Sequence, residues 1–213
     1  MSEVVEIRLR RARSWLRKAR KAAENSDLDA QFVFLWIAFN ALYGTPRYRR
    51  NNDDTYTGET GDFLAFLDEV GRLSRGRLDT CLGRVESDVR EVLLSPFLNI
   101  ECWRQWDKGG VRDRRKRRAS SCNTYEKAHR LGRVFLQLYT LRNQVLHGAA
   151  TDGGQRNRES LRHAIPILDG LVPVCIDLVA EHGTKIRTLA PIPFPPSIGD
   201  GGHFNPPKLK GST

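Results

Sequence analysis

The chain has 213 residues, with 35 lysines and arginines against 25 aspartates and glutamates, so its formal net charge is +10. This length suffices for one domain with a buried core, and the charge indicates an anionic partner, with nucleic acid ahead of a membrane surface. The sequence has no 18-residue apolar run, no signal-peptide core and no CxxC pair, which argues against a membrane span, a zinc ribbon and a dense disulfide framework. We expect a cytoplasmic protein with reduced thiols and no membrane partner.

The first two predicted helices differ in character. Over residues 3–25 an apolar stripe recurs at steps of three and four, which is typical of an amphipathic helix. The rest of that helix is strongly basic, with eight lysines and arginines and no acid between residues 8 and 21. Asn25-Ser26-Asp27 supplies the cap of a second helix over residues 28–43, whose centre is apolar all round and therefore favours the middle of a bundle.

The remaining periodic segments also have helical spacing. Four further helices are predicted, over residues 62–74, 77–94, 124–148 and 157–182. Residues 45–61 are polar and predict a loop, and Pro166 and Pro173 predict kinks in the last helix. No segment alternates as a strand does. The prediction is an all-α fold, an antiparallel helical bundle with inserted loops in residues 1–183 and an irregular Pro/Gly-rich C-terminal tail in residues 184–213.

A basic insertion lies between the fourth and fifth predicted helices, over about residues 107–123. Its six cations within seven residues repel one another, which predicts a loop. These residues are candidates for contact with RNA phosphates: Arg112, Arg114, Arg115, Lys116, Arg117 and Arg118. A purely solvated charge run is the alternative.

The candidate catalytic residues are Arg142, Asn143 and His147, at the C-terminal end of the helix predicted over 124–148. At about 100° per residue, Asn143 and His147 share a helix face. Arginine binds phosphate with two parallel hydrogen bonds, and histidine exchanges a proton near neutral pH. Such a set could cleave RNA without a metal or cofactor, with the 2′-hydroxyl as nucleophile and His147 as general base. In the alternative interpretation, Arg142 and His147 only cap the last carbonyls of the helix and complement its dipole.

Two segments resemble a known family. The sequence Leu-Arg-Asn-Gln-Val-Leu-His-Gly over residues 141–148 resembles the RNxxxH motif of the HEPN superfamily. Residues 34–44, Phe-Leu-Trp-Ile-Ala-Phe-Asn-Ala-Leu-Tyr-Gly, resemble the apolar helix that precedes this motif in bacterial HEPN proteins of the Apea-like type. Their order and separation both fit, and the resemblance covers about residues 5–182.

The resemblance implies a metal-independent endoribonuclease on a helical bundle, in a toxin–antitoxin, phage-defence or RNA-processing role. It also implies a homodimer in which the motif helices of two subunits form one cleft, and an antitoxin or defence-system protein as partner. In toxins paired with a nucleotidyltransferase antitoxin the motif continues as His-x-Tyr, whereas Ala149 stands here, so modification of that tyrosine is not expected. Two alternatives stay open: a non-catalytic module that binds RNA or a nucleotide, and a structural partner domain in a defence assembly.

Overall fold

The computed structural model describes residues 2–44, 58–99, 130–147 and 157–189. In these ranges the chain forms seven α-helices and no strand, so the predicted all-α fold is confirmed. The helices are α1 (Glu3–Glu24), α2 (Leu28–Tyr43), α3 (Gly58–Leu73), α4 (Arg77–Arg84), α5 (Glu86–Leu94), α6 (Arg130–Leu146) and α7 (Arg158–His182).

The first two helices form an antiparallel hairpin. The side chain of Asp27 accepts a hydrogen bond from the amide of Ala30 and caps α2, as the sequence predicts. Arg8, near the start of α1, contacts the carbonyl oxygen of Gly44 at the end of α2, while Trp15 and Phe34 stack midway along the pair. The three-residue connection therefore folds α2 back along α1.

The apolar centre of α2 lies in the middle of the core. Trp36 and Phe39 are buried, and both face α6, with ring centroids 6.4 Å and 4.4 Å from that of Phe135. Phe63 of α3 closes the aromatic cluster against Trp36. This packing confirms that α2 lies in the middle of the bundle, as its apolar centre predicts.

The last helix, α7, runs without interruption through Pro166 and Pro173 and passes into a 3₁₀ turn over Gly183–Lys185. By length and composition alone it could cross a bilayer. Eleven of its side chains are buried within the bundle, however, which is the environment of a core helix. It supports α1, α2, α4 and α5, which all pack on it.

The structure differs from the predicted boundaries at two places. Helix α3 begins at Gly58, inside the segment predicted as a loop, because tertiary contacts hold its first turn. The helix predicted over 77–94 is divided at Val85, whose backbone (φ −119°, ψ 35°) is not helical. The basic insertion over 107–123, residues 124–129 of the fifth predicted helix and residues 190–213 of the tail lie outside the described residues.

Cys81 and Cys175 are buried and unoxidised. Burial raises the pKa of the Cys175 thiol to about 12 and also raises the pKa of Cys81. Because the thiolate is the reactive form, both are inert packing residues at neutral pH.

Candidate active site at the C-terminal end of α6

The three predicted site residues occupy the last turn of α6 and the residue beyond it. Arg142 and Asn143 are half-buried, and His147 is exposed in the turn that follows Leu146. The amide of His147 donates to the carbonyl oxygen of Asn143 at 3.0 Å, which continues the helical path for one more residue. His147 therefore lies one turn beyond Asn143 and is exposed to solvent.

The guanidinium of Arg142 is held by side chains. Its Nη1 donates to Oδ1 of Asn143 at 2.8 Å, and its Nη2 lies 3.6 Å from Oε1 of Glu59. The guanidinium carbon also lies 5.6 Å from the ring centroid of Tyr139, one turn earlier on α6. These three contacts fix the orientation of the Arg142 head group at the surface end of the helix.

Glu59, in the first turn of α3, is the centre of this polar cluster. Tyr43 of α2 donates to its Oε1 and Tyr139 of α6 donates to its Oε2, each at 3.4 Å. Burial raises the pKa of the Tyr43 hydroxyl above its ordinary value, and the Glu59 carboxylate adds to this effect, so Tyr43 remains a donor at neutral pH. The carboxylate thus joins three helices beside Arg142.

The Arg142 guanidinium retains donors for a ligand. A guanidinium has five N–H groups, and the contacts to Asn143 and Glu59 use one on each terminal nitrogen. The Arg142 side chain is 20% exposed, and its buried Nε has no hydrogen-bond partner among the described residues. Within the described part of the chain, one further N–H on each terminal nitrogen has no partner, and two such groups match the two oxygens of a phosphate.

An apolar surface adjoins the motif. Gln144 donates to the carbonyl oxygen of Phe97 at 2.7 Å, which ties the end of α6 to the 3₁₀ turn Pro96–Leu98. Leu94, Phe97 and Leu146 are 48%, 55% and 50% exposed and are the large hydrophobic side chains that the described surface leaves in solvent. We call these three residues the apolar rim of the site.

The sequence pattern indicates the motif but not Glu59, the residue of another helix that contacts Arg142. Glu59 lies in the segment that was predicted as a loop, and a lone glutamate in a Gly/Thr-rich stretch carries no signal of its own. In the sequence pattern, Tyr43 is only the last apolar residue of the predicted second helix. The six cations Arg112, Arg114, Arg115, Lys116, Arg117 and Arg118 lie outside the described residues, so their predicted contact with RNA stays a prediction.

The other histidines of the described chain lie elsewhere. His163 of α7 pairs with Asp88 of α5 at 2.8 Å, which is a contact between two helices. No group of three or more histidine, cysteine, aspartate or glutamate side chains with metal-ligand spacing occurs in the described ranges. Comparison of the chain with protein-family models, with curated proteins and with solved structures finds no match in any of the three.

Proposed function

We propose that the chain is a metal-independent endoribonuclease of the HEPN type. One observation carries the proposal: Asn143 and Glu59 orient Arg142 at the end of α6, and the exposed His147 follows at the same helix end. A cation that only capped the helix would contact the last carbonyls, and Arg142 contacts side chains instead. The RNxxxH resemblance, the helical bundle and the net charge of +10 support the same function.

The reaction would use the three motif residues in distinct roles. His147 takes the proton of the RNA 2′-hydroxyl, whose oxygen attacks the adjacent phosphorus. Arg142 stabilises the negative charge that develops on the non-bridging oxygens, and Asn143 holds the guanidinium. The bond from phosphorus to the 5′-oxygen breaks, and that oxygen takes up a proton. The products are a 2′,3′-cyclic phosphate and a 5′-hydroxyl.

A homodimer would supply the second proton-transfer group. A single His147 acts as base, whereas the departing 5′-oxygen needs an acid, which the His147 of a second copy provides across a two-fold axis. The apolar rim of the site supports this arrangement, because association would bury the exposed side chains of Leu94 and Leu146. We place this activity in the cytoplasm, in a toxin–antitoxin or defence system with a protein partner.

A non-catalytic RNA-binding module is the second candidate. The ion pair with Glu59 offsets part of the positive charge of Arg142 and favours this alternative, since a purely binding site needs less charge stabilisation. Metal-free cleavage separates the two. Purified protein in EDTA is incubated with structured and unstructured RNA beside a His147→Ala variant. Cleavage by the wild type alone supports the nuclease, and binding without cleavage by either protein supports the module.

A further inference from the structure

Helix α1 carries an unusual set of exposed cations. Between residues 8 and 21 the helix contains no acid, and its apolar face (Leu9, Ala12, Leu16 and Ala19) is buried in the core. The exposed cations, which we call the α1 basic face, are Arg10, Arg13, Arg17, Lys18, Arg20 and Lys21.

None of the six forms an ion pair within the described parts of the chain. Cations on other helices do: Arg72 pairs with Asp68, Arg77 with Glu181, and Arg130 with Glu86. Lys18 differs from the other five only in lying over the rings of Trp15 and Phe34. The α1 basic face is thus a concentration of charge that no ion pair within the described ranges neutralises.

Such a face is unfavourable for the helix by itself. Arg13 and Arg17, and Arg17 and Lys21, stand four residues apart, where like charges repel and weaken the helix. The burial of the opposite face holds α1 in place despite this repulsion. A bound polyanion would remove the repulsion, so the basic face is matched to a ligand of repeated negative charge.

A nucleic acid fits this face better than a membrane surface. Helices that lie on membranes insert their apolar side among the lipids, and the apolar side of α1 is already buried against its own bundle. Arg10, Arg17 and Lys21 fall within about 40° around the helix and extend over about 16 Å along it. A row of that length is suited to successive backbone phosphates.

The basic face begins at the end of the bundle that carries the motif. Arg8, beside the first exposed cation, donates to the carbonyl oxygen of Gly44 at 3.0 Å. The neighbouring Tyr43 donates to Glu59, which pairs with Arg142. The α1 basic face therefore begins at the end of α1 that packs against the end of α2, where Tyr43 contacts the Glu59 cluster.

We propose that the α1 basic face binds the phosphate backbone of single-stranded RNA, without reading its bases, and leads it towards Arg142 and His147. This inference rests on the proposed function for its choice of RNA. The binding itself needs no cleavage, because phosphate contacts hold a strand independently of the chemistry.

The test measures RNA affinity across a salt series in full-length protein that carries His147→Ala, so that cleavage does not interfere. The variant Arg10→Gln/Arg17→Gln/Lys21→Gln removes three charges while keeping residues that favour a helix. Its matched control, Arg84→Gln/Arg90→Gln/Arg162→Gln, removes three exposed cations from α4, α5 and α7. Circular dichroism checks that both remain folded, and the probe is a 20-nucleotide single-stranded RNA.

The α1 variant should bind at least tenfold more weakly, and its log–log salt slope should fall by about 2, since each lost phosphate contact removes about 0.7. The control should change the slope by less than half as much. Equal effects in both variants, or none in either, would overturn the proposal. So would loss of binding to phosphatidylserine vesicles with RNA binding unchanged. Absence of cleavage by the wild type tests the proposed nuclease instead and leaves this binding result intact.

Discussion

Two arginines on two helices occupy opposite kinds of environment. Arg8 of α1 is fully buried, and it donates to the carbonyl oxygens of Ala41, Leu42 and Gly44 at 3.0–3.2 Å. Arg142 of α6 is 20% exposed and contacts the side chains of Glu59 and Asn143. Arg8 caps the C-terminal end of α2. Arg142 lies at the surface, where its guanidinium is partly exposed to solvent.

The contrast shows what a structural arginine looks like in this fold. Burial lowers the pKa of Arg8 to about 10, with a smaller contribution from Arg11, so its guanidinium is still charged at neutral pH and complements the dipole of α2. This is the capping role that the sequence left open for Arg142. Arg8 plays that role at the end of α2. At the end of α6, by contrast, Arg142 contacts the side chains of Asn143 and Glu59.

The largest expected effect is on cleavage by His147→Ala. Loss of a general acid–base group should lower the rate about 10²–10⁴-fold. Because His147 is exposed, the free energy of unfolding should stay within about 0.5 kcal/mol of wild type. Single-turnover cleavage and urea unfolding of the same preparation measure both quantities. A large loss of stability would instead show that His147 stabilises the fold, as Arg8 does.

Replacement of the two arginines by methionine should separate stability from activity. Arg8→Met leaves three carbonyl groups without their donor and should lower the free energy of unfolding by about 3 kcal/mol or more. Arg142→Met should lower the free energy of unfolding by about 1 kcal/mol and abolish most cleavage, because the charge on the phosphate oxygens is no longer stabilised. Chemical denaturation of both variants makes the comparison. Equal stability losses would contradict the distinction between a capping and a functional arginine.

Arg142→Lys sharpens the same distinction within one position. Lysine preserves the positive charge beside Glu59 but lacks the planar fork that binds two phosphate oxygens at once. We expect the cleavage rate to decrease about 10–100-fold, with little change in the free energy of unfolding. If lysine retained full activity, Arg142 would act only as a point charge, and its fixed orientation would be irrelevant.

Glu59→Gln should have the smallest effect. Glutamine keeps one acceptor oxygen for one of the two tyrosines, Tyr43 or Tyr139, and replaces the other oxygen by an amide that donates. It also removes the charge that orients Arg142. We expect kcat to fall about 3–10-fold through misplacement of the guanidinium, while KM stays constant or decreases because a negative charge near the phosphate is lost. Glu86→Gln, which affects the ion pair with Arg130, is the matched control. A rise in KM with kcat unchanged would contradict the positioning role.

The helices were largely predictable because each has a local signal. The Asp27 cap and the apolar centre of α2 fix that helix from its own residues, and the apolar periodicity of α7 persists through two prolines. The first turn of α3 was not predictable. Its Gly/Thr/Asp-rich sequence favours a loop, and its position depends on contacts of Glu59 with residues 16 and 80 positions away in the chain. The break at Val85 was likewise not predictable, because that residue is neither a proline nor a glycine.

The candidate site was predicted only as far as the motif extends. Arg142, Asn143 and His147 follow one another on a single helix, so their relation is set by helical geometry. The residues that orient Arg142 from other elements, Glu59 and through it Tyr43, come together only when α2, α3 and α6 pack. The spacing of residues along the sequence does not predict such contacts between helices.

The most direct test of the central claim is the chemistry of the RNA ends produced in EDTA. A reaction in which the 2′-hydroxyl attacks and His147 takes its proton leaves a 2′,3′-cyclic phosphate and a 5′-hydroxyl, which mass spectrometry of a short labelled RNA identifies. We expect these ends for the wild type and none of these products for His147→Ala. Products with a 3′-hydroxyl and a 5′-phosphate, or identical products from the His147→Ala variant, would contradict it.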